Sequence, residues 1–218
     1  SHRMDSQGKI TGSWKSHTDD LDSELFKHDF DMNGWEYIHR FLNIKNTIPN
    51  ASAVLFKKQT YLQIEGACSH LNLIGDWSVW AKIVSRGDIH FSSRCLNDFR
   101  YHATSVIATA KQTSGPFRLR RQIILFRSEI SNFWQHHLSD SELTPQIYKK
   151  NKIFLYKEVV RNCSFAIRRR HFEEIIPTIR DACNILPVYL LPIFMFKMAI
   201  KLIYSIIFDA PIKNLLKK

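Results

Sequence analysis

The sequence predicts an α/β fold followed by a mostly α-helical C-terminal extension, and three observations carry that expectation. Trp77, Trp80, Ile83 and Val84 recur at helical spacing, which gives a short helix one apolar face. Ile89 and Phe91 then alternate with polar neighbours, as in a half-buried strand. Beyond residue 110 the apolar positions keep a helical period, most clearly over 117–138. There Arg118, Arg120, Arg121 and Arg127 interleave with Leu119, Ile123, Ile124, Leu125, Ile130, Phe133 and Trp134. At 218 residues and 44% hydrophobic content, the chain can bury a real core and is not a disordered segment. Two parts are expected, 1–110 and 111–218.

In chain order, residues 1–4 open without a strand or cap of their own, and 5–23 are rich in turn formers and read as a loop. Over 25–43, Phe26, Phe30, Trp35, Ile38, Phe41 and Leu42 suggest a helical stretch interrupted at Asn33-Gly34. A Pro49 turn leads to a short buried strand over 53–56, with Lys57 and Lys58 as a solvated pair at its end. Residues 59–64 make a helical turn, and Gly66 lets the backbone bend tightly. The Trp77 helix starts at Asp76, whose carboxylate suits free N–H groups and the positive end of the helix dipole. Gly87 is its natural stop. Further helices are expected over 146–160 and 161–183, the second carrying Arg168-Arg169-Arg170.

Thirty-one Lys and Arg against 20 Asp and Glu leave a formal charge of +11, which suits anionic partners. Nucleic acid is excluded from the expected partners, because no recognition motif is present and the arginines alternate with core positions. Cys68, Cys95, Cys163 and Cys183 are scattered without a Cys-x-x-Cys pair, so neither a disulfide framework nor a zinc site is expected, and reduced thiols in a cytoplasmic setting are. Residues 1–20 are polar and hold no signal peptide. The stretch 185–208 is the most apolar, but Pro187, Pro192, Lys197 and Lys201 break it. A span needs about 20 apolar residues, and a charge at bilayer centre costs ~2.5–3.5 kcal/mol. Two readings stay open for it: an interfacial helix with snorkelling lysines, or a helix packed on the fold.

Three motifs stand in one order. Asn46-Thr-Ile-Pro-Asn-Ala-Ser-Ala-Val-Leu-Phe-Lys-Lys58 comes first, Gly75-Asp76-Trp77-Ser78-Val79-Trp80 opens the aromatic helix, and Arg100-Tyr101-His102-Ala103-Thr104-Ser105 follows the strand. Together they resemble the second half of the catalytic domain of family 2 glycosyltransferases, inverting enzymes of the GT-A fold, over roughly residues 1–105. The resemblance implies a partial GT-A fold in which Asp76 is the base for an acceptor hydroxyl. Gly75 and Trp77 would border the acceptor, and Arg100 and His102 would face the nucleotide diphosphate. His102 would also be a ligand to a divalent cation, Mg2+ or Mn2+. The partners implied are a nucleotide-sugar donor and a glycan or lipid-linked acceptor. The implied setting is bacterial cell-surface polysaccharide or lipid-linked glycan synthesis, in the cytoplasm at the inner face of the plasma membrane, with peripheral membrane contact. Gly75-Asp76 stands where many relatives have Glu-Asp, and Ser78 where a second Asp is common.

The family's metal-binding Asp-x-Asp ends a buried strand. Asp19-Asp20 and Asp29-Phe30-Asp31 have no buried β-branched run leading into them and read as solvated acids. A nucleotide-binding half is therefore expected before Ser1, and this chain alone is expected to be inactive. On the residues alone, Asp76 is first a helix cap worth about 1 kcal/mol, and Trp80 is core. The rival functional reading is a non-catalytic binding or membrane-adaptor module derived from a truncated transferase.

Overall fold

The computed structural model describes residues 1–102, 109, 115–136 and 142–182, and the fold over them is mixed α/β. Strands β1 (His2–Met4) and β2 (Ile10–Ser13) form an antiparallel hairpin. Asp5 builds the turn between them: its Oδ1 accepts from Gln7 N and Lys9 N, each at 2.9 Å. Gly8 supplies the positive φ of +88° that the turn needs. The expected loop over 5–23 is thus partly a hairpin, and the chain opens on a strand. The cause is distant in sequence, because β1 also pairs in parallel with Asp98–Arg100.

A second sheet pairs β3 (Phe30–Asn33) with β4 (Asp88–Phe91), antiparallel, in the register Phe30↔Phe91, Asp31↔His90, Met32↔Ile89 and Asn33↔Asp88. Its two faces separate cleanly. Phe30 stacks on Phe91 with centroids 5.1 Å apart, while outside Asp31 accepts from His90 at 2.8 Å and Asn33 donates to Asp88 at 3.2 Å. The helical reading of 25–43 is therefore corrected over 30–33. Phe30 and Met32 obey a two-residue period that the surrounding aromatics obscure. The strand Asp98–Arg100 is β5.

Helix α1 (Gly34–Tyr37) begins where β3 ends, with Asn33 Oδ1 accepting from Trp35 N at 3.0 Å. It runs on as a wider π-type turn over Ile38–Leu42. Gly34 lies against the end of α3 (Gly75–Val84): a Cβ there would sit 1.8 Å from Val84 O and 2.1 Å from Gly87 O. Both obstacles are backbone, so only glycine fits. Between these helices, α2 (Lys58–Gln63) ends at Glu65 and Gly66, both at positive φ. The strand expected over 53–56 is not formed. Ala51–Ala53 is a 3-10 turn capped by Asn50, and Leu55 and Phe56 that follow are exposed. A strand needs a partner, and this segment has none among the described residues.

The C-terminal part is three helices, α4 (Gly115–His136), α5 (Thr144–Arg169) and α6 (Ile175–Ala182). The break expected between residues 160 and 161 is absent. No Gly or Pro interrupts α5 beyond its first turn, and Asn162 inside it donates through Nδ2 to Thr178 Oγ1 on α6 at 2.7 Å. The helix stops at Arg170 in the left-handed conformation, φ +61°, with the arginine run at its negative end. The expected boundary near residue 110 and the apolar stretch 185–208 lie outside the described residues. Among the described residues no helix is long and apolar enough to cross a membrane.

The core does not divide at that boundary. Trp77 of α3 stacks on Phe126 of α4 at 4.3 Å, and Trp35, Trp134 and Ile147 share the same cluster. The carbonyls freed at the end of the α1 turn hold α3 and, across the boundary, the two C-terminal helices α4 and α5. Leu42 O accepts Trp77 Nε1 at 2.9 Å, Asn43 O accepts Arg127 at 3.0 Å, and His39 O accepts Lys150 at 3.1 Å. Arg127 is 2% exposed and also donates to Asn151 Oδ1 at 2.9 Å; burial pulls its guanidinium down to about 10, with Glu158 opposing.

Two stability predictions follow from this packing. Gly34→Ala must displace two backbone segments, so chemical denaturation should show a loss of more than ~3 kcal/mol or no cooperative transition. Arg127→Ala leaves Asn43 O and Asn151 Oδ1 without their donor and opens a cavity, an expected loss on the order of 3 kcal/mol in the same measurement.

Candidate active site

Asp76 is the second residue of α3. Its Oδ1 accepts from Trp77 N at 2.7 Å, and the Asn46 side chain donates to it as well. The carboxylate is half-buried, and burial raises its pKa above the ordinary 3.8 while the Trp77 N–H and Asn46 oppose the rise. A carboxylate held by backbone and shifted toward neutrality suits a general base.

Asn46 links this carboxylate to a cavity of about 810 Å3, because its carbonyl oxygen accepts from His17 Nε2 at 2.8 Å and His17 lines that space. The cavity lies between the 47–57 segment, the end of α3 with β4, and the 92–97 loop. Four cations line it, Lys15, Lys57, Arg86 and Arg94, against the single carboxylate of Asp88. An anionic ligand fits that balance. Asp76 itself stands outside the lining.

The other expected site residues fall elsewhere. Gly75 faces the 68–71 turn, and a Cβ there would meet only ordinary contacts at 3.9 Å. Trp77 is a core residue, its ring stacked and its Nε1 committed to Leu42 O. Arg100 is exposed on β5 and donates to Ser6 O at 3.0 Å. His102 is exposed just beyond it, and Ala103-Thr104-Ser105 lie outside the described residues. Arg100 and His102 therefore belong to the β1–β5 sheet, whereas Asp76 belongs to the helix feeding β4. Three of the four acids set aside as metal ligands have a protein partner. Asp20 pairs with Lys45 at 2.7 Å, Asp29 accepts from Ser93 N at 2.7 Å, and Asp31 takes His90.

A cluster not expected from the sequence lies on the other side of α3. Cys68, His70 and Glu129 bring their ligand atoms within 4.8 Å of one another, the only such group able to hold an ion among the described residues. Lys82 Nζ is 2.5 Å from Glu129 Oε1, and Ser78 Oγ donates to the same oxygen at 3.0 Å. Burial raises the Glu129 carboxylate, but Lys82, the Cys68 thiol and Ser78 outweigh it and hold the group below its ordinary range. Burial and Glu129 together push the Cys68 thiol up to about 11. The Cys68-x-His70 spacing was visible in the sequence; Glu129, on a helix far along the chain, was not assignable to it.

No family model, curated protein or solved structure matches the chain.

The Asp76 environment sets a pH dependence. Its pKa is raised in the fold, so the folded chain holds the proton more tightly than the unfolded chain. Stability contributed by this group therefore falls as pH rises from 3.8 through the folded value, and the ionised carboxylate is a net cost at neutral pH. Asp76→Asn keeps an acceptor for Trp77 N and removes the charge. Its melting temperature should exceed that of the unaltered chain at pH 7, and the gap should close below pH 3.8.

Proposed function

We propose that this chain is the acceptor-side part of an inverting, family 2-like sugar transferase of partial GT-A fold, with Asp76 as its general base. The observation that carries the reading is Asp76 itself: a fixed, half-buried carboxylate at the start of an aromatic helix, with its pKa raised. The motif order around it supports the same reading, since α3 feeds the half-buried strand β4 and the Arg100-x-His102 pair follows. The exposed Leu55 and Phe56 beside a cation-lined cavity suit an apolar edge that a nucleotide-binding half would cover.

In the proposed reaction the acceptor oxygen forms a bond to the anomeric carbon of a nucleotide sugar. The bond from that carbon to the diphosphate oxygen breaks in the same step, so the configuration inverts. The acceptor proton passes to Asp76, and the leaving diphosphate is met by cations. The cation-lined cavity is the candidate place for the donor's phosphates. His102 by itself offers a single ligand, fewer than Mg2+ or Mn2+ needs, so the cations that meet the diphosphate are the Lys and Arg side chains of the cavity. Synthesis of a cell-surface or lipid-linked glycan at the inner face of the plasma membrane is the setting proposed with this activity.

A specific observation favours a second reading, a non-catalytic binding or membrane-adaptor module: Asp76 stands outside the cavity lining, and Trp77 is spent in the core. One experiment separates the two. Sugar transfer is measured for this chain alone and for the chain joined to the polypeptide encoded directly before Ser1. The isolated chain should show neither transfer nor donor hydrolysis. In the joined protein Asp76→Asn should lower kcat about 10²–10⁴-fold with donor KM little changed. Full turnover by the variant removes Asp76 as base, and no turnover by either form selects the binding module.

A further inference from the structure

We propose that Cys68, His70 and Glu129 form a zinc-binding site that ties the turn before α3 to helix α4. The set joins a thiol, an imidazole and a carboxylate, a combination suited to Zn2+ among the common divalent ions. Three protein ligands leave a fourth, tetrahedral position for water. This inference is independent of the transferase reading, because it uses none of the residues assigned to sugar transfer.

The geometry is near what the ion requires. His70 Nε2 and Glu129 Oε2 are 3.5 Å apart. Two ligands at about 2.1 Å from a tetrahedral centre stand about 3.4 Å apart. Glu129 divides its two oxygens by role. Oε1 takes Lys82 and Ser78, whereas Oε2 is buried and faces His70 Nε2, with the Cys68 thiol the remaining donor to this carboxylate. A buried carboxylate oxygen met only by a weak thiol donor and a long imidazole contact is poorly compensated, and a cation meets it better. Lys82 then orients the carboxylate from behind, as outer partners of metal ligands do. With the thiolate, the carboxylate, the ammonium and the metal all counted, the site carries a single positive charge.

The ligands are also held in place before any ion arrives. Gln122 Nε2 donates to His70 O at 2.7 Å, and Gln122 Oε1 accepts from Leu73 N at 3.2 Å. Leu71 N donates to Cys68 O at 3.1 Å and closes the turn between the two ligands. Glu129 stands seven residues after Gln122, two helical turns along the same face of α4. His70 is half-exposed and provides the entry path, while Cys68 and Glu129 sit deeper. On binding, a Zn–S bond forms, the Cys68 S–H bond breaks, and the proton leaves to solvent.

The test uses the full chain under reducing conditions. Zn2+ is titrated against a chromogenic chelator, and Co2+ is used as the spectroscopic probe. The proposal expects one equivalent of Zn2+, a rise in melting temperature with Zn2+, and a thiolate-to-cobalt charge-transfer band with the strong visible bands of a tetrahedral site. Cys68→Ser should abolish the charge-transfer band, and His70→Ala, at a half-exposed position where folding is expected to survive, should weaken Zn2+ binding at least tenfold. Cys95→Ser should leave both readouts unchanged. Absence of stoichiometric binding overturns the proposal. So does a Co2+ complex without the thiolate band, or Zn2+ affinity unchanged in His70→Ala with circular dichroism of the native chain. Either of the last two would assign the metal to scattered surface histidines.

Discussion

The Arg127 guanidinium at the end of the α1 turn is the interaction on which the two parts of this protein depend. It is buried with no salt-bridge partner among the described residues, Glu158 acting on it only at a distance. Its Nη1 and Nη2 are met by Asn43 O, Ile44 O and Asn151 Oδ1, while Nε has no acceptor among the described residues. Those carbonyls exist as free acceptors because a helix leaves its last C=O groups unpaired. Their partial negative charge also favours a cation at this end. Aromatic faces complete the enclosure, with the rings of Trp77 and Phe154 5.6 and 4.8 Å from the guanidinium carbon. Removing water from a full charge is expensive, so such a residue persists only where donors and acceptors are matched around it. Here the matching draws on α1, α4 and α5 at once, which is why the core crosses from one part to the other.

Helix α3 is the second organising element, and its roles are divided along its length. Its first turn presents Asp76, with Asn46 relaying to the cavity. Its middle turns direct Ser78 and Lys82 to Glu129 on α4, away from that cavity. Its last turn receives Gly34, so the entry to α1 and the exit from α3 meet backbone to backbone. Any shift of α3 therefore moves the candidate base and the Cys68–His70–Glu129 cluster together. The pKa pattern agrees with this division, since Asp76 is left with a net burial penalty while Glu129 has enough partners to overcome its own.

Much of the local structure was legible in the residues. Asp76, Trp77, Trp80, Ile83 and Val84 delimit α3, and the Ile89 and Phe91 alternation is β4. The 117–138 pattern falls on α4 over its described part, 117–136, and Gly66 takes the positive φ expected of a bend. Each of these signals is a periodicity or a local conformational preference, carried within a few residues. The readings that changed depended on partners far away. His2–Met4 becomes a strand by pairing with Asp98–Arg100, Phe30–Asn33 by pairing with Asp88–Phe91, and 53–56 stays unpaired for want of a neighbour.

The candidate site divides in the same way. The sequence by itself determined that Asp76 begins an amphipathic helix and that the chain is basic, because capping and charge are properties of short segments and of composition. Only the tertiary structure decided that Asp76 is half-buried beside Asn46 and that Trp77 belongs to the core. It also decided that four cations gather on one cavity and that Glu129 on α4 meets Cys68-x-His70 on the turn before α3. Desolvation and convergence of side chains arise from packing between residues distant in the chain, and no local pattern encodes them.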